Sequence, residues 1–193
     1  MPASPPRLIL ASGSRYRAEL LARLRLSFEA MASNVDETPH RGEPVRALTQ
    51  RLALAKARAL ADAHPGAWVL GSDQAAIADG RLLGKPGTHA RAVEQLQFLS
   101  GKKVEFHTAV VLAGERVLSG ADITTVHFRE LASDEIERYL AAEPAYDCAG
   151  SFKCEGLGIT LFERIESDDP TALIGLPLIA VRRLLADAGW PLP

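Results

Sequence analysis

The chain has 193 residues, 47% of them hydrophobic and 24% charged, with a formal net charge of −2 at pH 7. That length suits a single domain with a real core. The mix is that of a globular chain rather than a disordered one, and the near-neutral charge argues against a broad electrostatic grip on nucleic acid.

No segment approaches the ~20 apolar residues of a membrane span. The proline-rich start "MPASPPR" does not read as a secretory leader, and residues 1–7 are expected to be flexible. Cys148 and Cys154, in "CAGSFKC", fit no zinc spacing and are too few for a disulfide framework, so reduced, buried thiols of a cytoplasmic protein are expected.

In chain order, "RLILAS" reads as a short buried strand. Ser14 then caps a helix in "SRYRAELLARLR", whose apolar stripe is Leu20, Leu21 and Leu24. "SFEAMASNVDE" reads as a strand running into a loop that ends on Asp36 and Glu37. "EPVRALTQRLALAKARALADAHPG" is a long helix, opened by Pro44 and closed by Pro65-Gly66. "AWVLGSD" is an almost wholly apolar strand ending on Asp73, and "AIADGRLLG" is a hairpin with Asp-Gly at its tip.

"THARAVEQLQFLSG" is a helix with Thr88 as cap and Gly101 as stop. "KKVEFHTAVVLAGERVLSGADITTVHFREL" alternates as two or three strands turning near Gly114. "SDEIERYLAAEP" is a helix capped by Ser133, "GLGITLFERIES" is a strand, and "GLPLIAVRRLLADAG" is a closing helix with Pro177 near its start. Strands and helices alternate throughout, which predicts an α/β fold with a central mixed sheet flanked by helices. The length also suits two lobes around a cleft.

Several charges fall where helix and strand geometry calls for carbon. Arg17 shares the face of Leu20, Leu21 and Leu24, beside a helix start whose free N–H groups suit an anion. Lys56 lies inside the stripe of Val45, Leu48, Leu52, Ala55 and Ala59. Asp36, Glu37 and Asp73 follow or end strands, where α/β proteins bind ligands. Lys85 is held in a rigid "GKP" turn. Each alone has an ordinary reading, as a cation with its stem packed and its head in water, or as surface decoration. Together, three cations, two or three acids and a helix start make the kit for a metal–triphosphate. The five histidines are widely spaced, and no Walker or Rossmann fingerprint is present.

The order of "LILASGSRYRAELL", "NVDET", "LALAKARAL", "VLGSDQ", "LLGKP" and "LSGKKVEFHTAVVL" resembles the Maf family of nucleotide pyrophosphatases, over Leu8 to about Pro191. "VHFREL", "DCAGSFKCEGLGITLFERIE" and "LIGLPLIAV" resemble its branch acting on 7-methyl-GTP. The resemblance implies a Maf/ITPase-like fold with a deep cleft. It implies hydrolysis of a nucleoside triphosphate to monophosphate and pyrophosphate with a divalent cation, Mg²⁺ or Mn²⁺. It also implies a cytoplasmic protein, often a homodimer, whose partner is a small-molecule nucleotide.

Carried over residue by residue, Asp73 takes the proton-acceptor position and, with Glu37, the metal. Ser14, Arg17, Lys56 and Lys85 take the phosphates, and Tyr16, Gln74 and Glu155 set specificity. Arg15 stands where the family usually has proline. Methylation at N7 gives guanine a delocalised positive charge, which an aromatic face such as Tyr16 attracts and a carboxylate such as Glu155 offsets. Two other readings remain open at this point: hydrolysis of dTTP or UTP, as in the main branch of the family, and a nucleotide-binding regulator of cell division with little catalysis.

Overall fold

A computed structural model describes residues 6–193, so the expectation for the extreme N-terminus falls, up to residue 5, outside the described residues. Seven strands follow in chain order: β1 (Leu8–Ala11), β2 (Glu29–Met31), β3 (Trp68–Ala78), β4 (Arg81–Leu83), β5 (Lys103–Ala113), β6 (Val117–Phe128) and β7 (Phe162–Glu166). The helices are α1 (Arg15–Ala22), α2 (Val45–Ala61), α3 (His89–Leu99), α4 (Ser133–Ala142) and α5 (Leu178–Asp187). Hydrogen bonding orders the strands β2-β1-β3-β5-β6-β7, with β4 on β3 off this path. β1 pairs in parallel with β2 and β3, whereas β3–β4 and β6–β7 are antiparallel, so the sheet is mixed as expected.

The chain forms two compact units. One holds the chain up to Gln74 together with Thr108–Asp122 and Asp169–Pro193; the other holds Ala75–His107 and Ile123–Asp168. In the first, β1 is buried on both faces, and its period of two separates the core into two layers. Leu8 and Leu10 join Leu20, Leu21, Trp68, Leu70, Val181 and Leu184 on one side. Ile9 and Ala11 join Ala53, Ala57, Val69 and Val111 on the other.

Ala53 and Ala57 of α2 come so close to β3 that a Cβ on Gly71 would stand 2.3 Å from the Ala53 carbonyl oxygen and 2.7 Å from the Ala57 nitrogen. Those atoms are backbone and have no rotamer to yield. Gly71→Ala is therefore expected to cost about 3 kcal/mol, read as a lowered urea midpoint; an unchanged midpoint would show that α2 can slide away.

In the second unit, the hairpin of β3 and β4 turns on Asp79 (φ 48°) and Gly80 (φ 74°), both left-handed as a tight primed turn requires. Its core holds four phenylalanines, Phe106, Phe128, Phe152 and Phe162, whose rings meet edge-on at centroid distances of 4.8–5.6 Å. Cys148 and Cys154 are free and half-buried here. Burial, with Asp147 and Glu155 beside them, pushes both thiols up to about 12.

Three expectations need correction. Asp73 does not end its strand: β1 stops at Ala11, opposite Gly71, but β3 continues to Ala78 because β4 pairs with its far end. Ser133 is not the cap of α4. Ala132 takes that position and Ser133 is the first helical residue, with Asp134 and Glu135 supplying the negative charge that a helix start favours. "GLGITLFERIES" is not one strand; Leu157–Leu161 coils as a 3-10 turn before β7. There the Glu143 carboxylate accepts from Gly158 N, and a Cβ on Gly158 would stand 2.5 Å from the Lys153 carbonyl oxygen.

Candidate active site

Beyond Gly71, β3 carries Ser72, Asp73 and Gln74 into alternating directions. Asp73 has the parity of Val69 and Gly71, the face covered by α2. Lys56 lies on that helix one turn after Leu52 and Ala53, so its stem runs along the buried stripe. Lys56 and Asp73 are each only 6% exposed. The Lys56 ammonium donates to Asp73 Oδ1 at 2.7 Å and pairs with Glu37 Oε1 at 2.6 Å. One buried nitrogen thus draws together two carboxylates that lie 36 residues apart.

Arg17 completes the group. Its charge acts on Asp73, and the charges of Asp73 and Glu37 act on it. Burial pulls its guanidinium below its ordinary value, opposed by those two carboxylates. Burial also lifts the Asp73 carboxyl above the ordinary 3.8; Lys56 and Arg17 pull it back by less than that, and Glu37 adds to the lift. Asp36 stands apart: its Oδ1 accepts from the Thr38 amide (2.9 Å) and hydroxyl (2.6 Å) in a local turn.

Ser14 caps α1, its hydroxyl accepting from Arg17 N at 3.4 Å. Tyr16 is half-buried, and the Arg15 guanidinium lies 4.8 Å from its ring centroid and donates to its hydroxyl at 2.9 Å. Arg15 therefore covers one face of the tyrosine. Gln74, of the opposite parity to Asp73, donates through Nε2 to Thr108 Oγ1 (3.0 Å) and to the carbonyls of Ala172 (2.9 Å) and Leu173 (3.1 Å). Its amide nitrogen is committed to these three acceptors. Lys85 and Glu155 belong to the second unit, both exposed; Glu155 Oε2 accepts from Cys154 Sγ. The structure therefore gathers Arg17, Lys56, Asp73 and Glu37 in the first unit, which also holds Ser14, Tyr16 and Gln74.

The residue pattern alone did not point to Ser72, Gly175 and Thr108. Ser72 Oγ and Arg17 Nε both donate to the Gly175 carbonyl, at 3.1 and 2.9 Å, and Thr108 Oγ1 donates to Ala172 O at 3.1 Å. The signal in the sequence was "DPTALIGLP", where an Asp-x-Thr turn precedes a glycine and a helix-opening proline.

A divalent cation can be tested against this donor set. No group of three or more His, Cys, Asp or Glu among the described residues is arranged to hold a metal. Two carboxylates meeting on one monovalent ammonium do match Mg²⁺ or Mn²⁺, which take one or two carboxylates and fill the remainder from water and phosphate oxygens. No helix among the described residues is long and apolar enough to cross a membrane.

Fold and site together define an α/β protein in which acids and cations converge at the sheet. A HAM1 protein from Coxiella burnetii shares the fold, with a TM-score of 0.51 at 17% identity over 95% of this chain and 98% of that one. Residues 7–188 match the Maf-like protein family, and the chain belongs to the Maf family. A relative from Xanthomonas oryzae pv. oryzae (strain MAFF 311018), named 7-methyl-GTP pyrophosphatase, is 61% identical over 189 residues, covering 97% of this chain and all of that protein. A relative of the same name from Burkholderia pseudomallei (strain 1710b) is 57% identical over 98% of this chain and 91% of its own length.

Proposed function

We propose that the chain hydrolyses 7-methyl-GTP to 7-methyl-GMP and pyrophosphate. The observation that carries this reading is the buried Lys56 ammonium held between Asp73 and Glu37, with Arg17 acting on the same acids. Simple capture of a polyanion gains nothing from added carboxylates; a hydrolase needs one to take a proton. Relatives named for this activity at 57–61% identity support the substrate.

Asp73 accepts the proton of the attacking water, which bonds to the α-phosphorus as the bond to the β-phosphoryl oxygen breaks and pyrophosphate leaves. Arg17 and Lys56 hold the phosphates, with Ser14 beside them. Asp73 and Glu37 would hold Mg²⁺ or Mn²⁺, which supplies charge neutralisation on the phosphates. Gln74 offers the base a carbonyl oxygen, an acceptor that suits the N–H donors of guanine. Tyr16 stacks on the methylated ring in exchange for Arg15. Free nucleotides rather than nucleic acid are the substrate, and the protein works in the cytoplasm as a homodimer.

Pyrophosphate release from a panel of 7-methyl-GTP, GTP, dTTP and UTP with Mg²⁺ or Mn²⁺ tests the reading. The methylated nucleotide is expected to have the highest kcat/KM; faster turnover of dTTP or UTP would overturn the substrate. Tyr16→Ala should narrow the preference for 7-methyl-GTP over GTP by roughly ten-fold, the size of one lost stacking contact, while hydrolysis continues.

A further inference from the structure

Arg17 is not aimed by its own helix alone. Its Nε donates to the Gly175 carbonyl at 2.9 Å, and no other hydrogen bond of its side chain is present among the described residues. A guanidinium is a planar fork, so fixing Nε sets the plane in which its terminal amino groups meet a phosphate. The orientation of that fork therefore depends on where the Gly175 carbonyl stands. Gly175 has φ 121°, open to glycine, and a Cβ there would lie 3.6 Å from Arg17 Nε.

The Gly175 carbonyl belongs to a tightly tied turn. Asp169 is 3% exposed. Its Oδ1 accepts from Thr171 N at 2.9 Å and from Thr171 Oγ1 at 2.6 Å, and its Oδ2 accepts from Ile179 N at 2.6 Å. Thr171 Oγ1 accepts in turn from Leu178 N at 2.9 Å and lies 2.8 Å from the Leu176 carbonyl oxygen. Leu178 and Ile179 open α5, whose cap position is Pro177, a residue with no side-chain acceptor. The Asp169 carboxylate and the Thr171 hydroxyl thus cap that helix from outside. The same two groups close the ends of residues 171–178, and the carbonyls of Ala172, Leu173 and Gly175 within that loop receive Gln74, Thr108, Ser72 and Arg17.

We infer that Asp169 is a positioning residue for phosphate recognition: by tying the 171–178 turn to the start of α5 it places the Gly175 carbonyl, and through it the Arg17 guanidinium. It is not a catalytic residue, and the inference rests on the proposed role of Arg17 at the phosphates. The loop also holds Gln74, so one carboxylate lies behind both a phosphate-binding and a base-reading side chain.

A double-mutant cycle on the full chain tests this, using Asp169→Asn, Arg17→Met and the pair. The readouts are kcat and KM for pyrophosphate release from 7-methyl-GTP and, independently of catalysis, the calorimetric Kd for inorganic pyrophosphate. Asp169→Asn is expected to weaken pyrophosphate binding and lower kcat/KM by roughly ten-fold, within the range of coupled neighbours, and to weaken pyrophosphate binding by less than about a further two-fold on the Arg17→Met background. Equal losses on both backgrounds, or no loss from Asp169→Asn, would overturn it.

Should Asp169→Asn fail to fold by circular dichroism, Thr171→Val removes the second tie and takes its place in the cycle with the same two outcomes. A wild-type chain that turns over no nucleotide would sink the proposed function instead, and pyrophosphate affinity would still decide the role of Asp169.

Discussion

Asp73→Asn is expected to lower kcat for pyrophosphate release by about 10³-fold, the loss typical of a general base, while 7-methyl-GTP still binds. Asparagine keeps the shape and the Oδ1 acceptor that Lys56 reaches at 2.7 Å, but it cannot take a proton from water. Single-turnover rates and equilibrium binding separate the two effects, and an unchanged rate would remove Asp73 from the chemistry.

The same substitution has a second, opposite signature. Because burial raises the Asp73 carboxyl above 3.8, the folded chain holds this proton more tightly than the unfolded chain. The associated stability is complete below 3.8 and is lost as pH rises through the raised folded value. The unfolding free energy of the wild type relative to Asp73→Asn should therefore fall as pH rises through that window. Urea melts across the acid range measure it; a difference that grows with pH would mean that Lys56 and Arg17 outweigh burial.

Lys56→Met should cost about 3 kcal/mol of stability, the usual result of leaving one partner of a buried ion pair uncompensated. Methionine fills the channel along α2, so the loss reports charge rather than a void. Activity should fall about 10²-fold as a phosphate contact disappears. Calorimetry should nevertheless show tighter binding of Mn²⁺ in the absence of nucleotide. The ammonium lies within 2.7 Å of both carboxylates proposed for the ion, and removing it removes a competitor. Weaker Mn²⁺ binding in Lys56→Met would show that the ion binds elsewhere or that the two acids lose their arrangement without the lysine.

How far the chain could be read in advance differs from residue to residue. Lys56 was legible because a lysine inside an Ala/Leu stripe breaks the helical period, and β1 was legible because four apolar residues in a row leave no exposed face. The pairing of Glu37 with Asp73 was legible only through the family resemblance, not from the residue pattern: 36 residues and a whole helix intervene, and the crossing of α2 over β3 at Gly71 brings them together. Asp73 was misplaced as a strand end because "VLGSD" looks complete, and β4, which prolongs the strand, lies beyond it in sequence. Ser133 was misread because a serine before two acids resembles a cap whichever residue the chain uses. The turn that holds Arg17 was hidden for another reason: its acceptors are backbone carbonyls, which every residue has and which no pattern of side chains announces.

The two half-buried thiols, pushed up to about 12, have a consequence for how the protein meets oxidants. Only the thiolate reacts readily with peroxide or alkylating agents. Burial therefore keeps Cys148 and Cys154 in the less reactive thiol form, which makes them poor targets for covalent labelling.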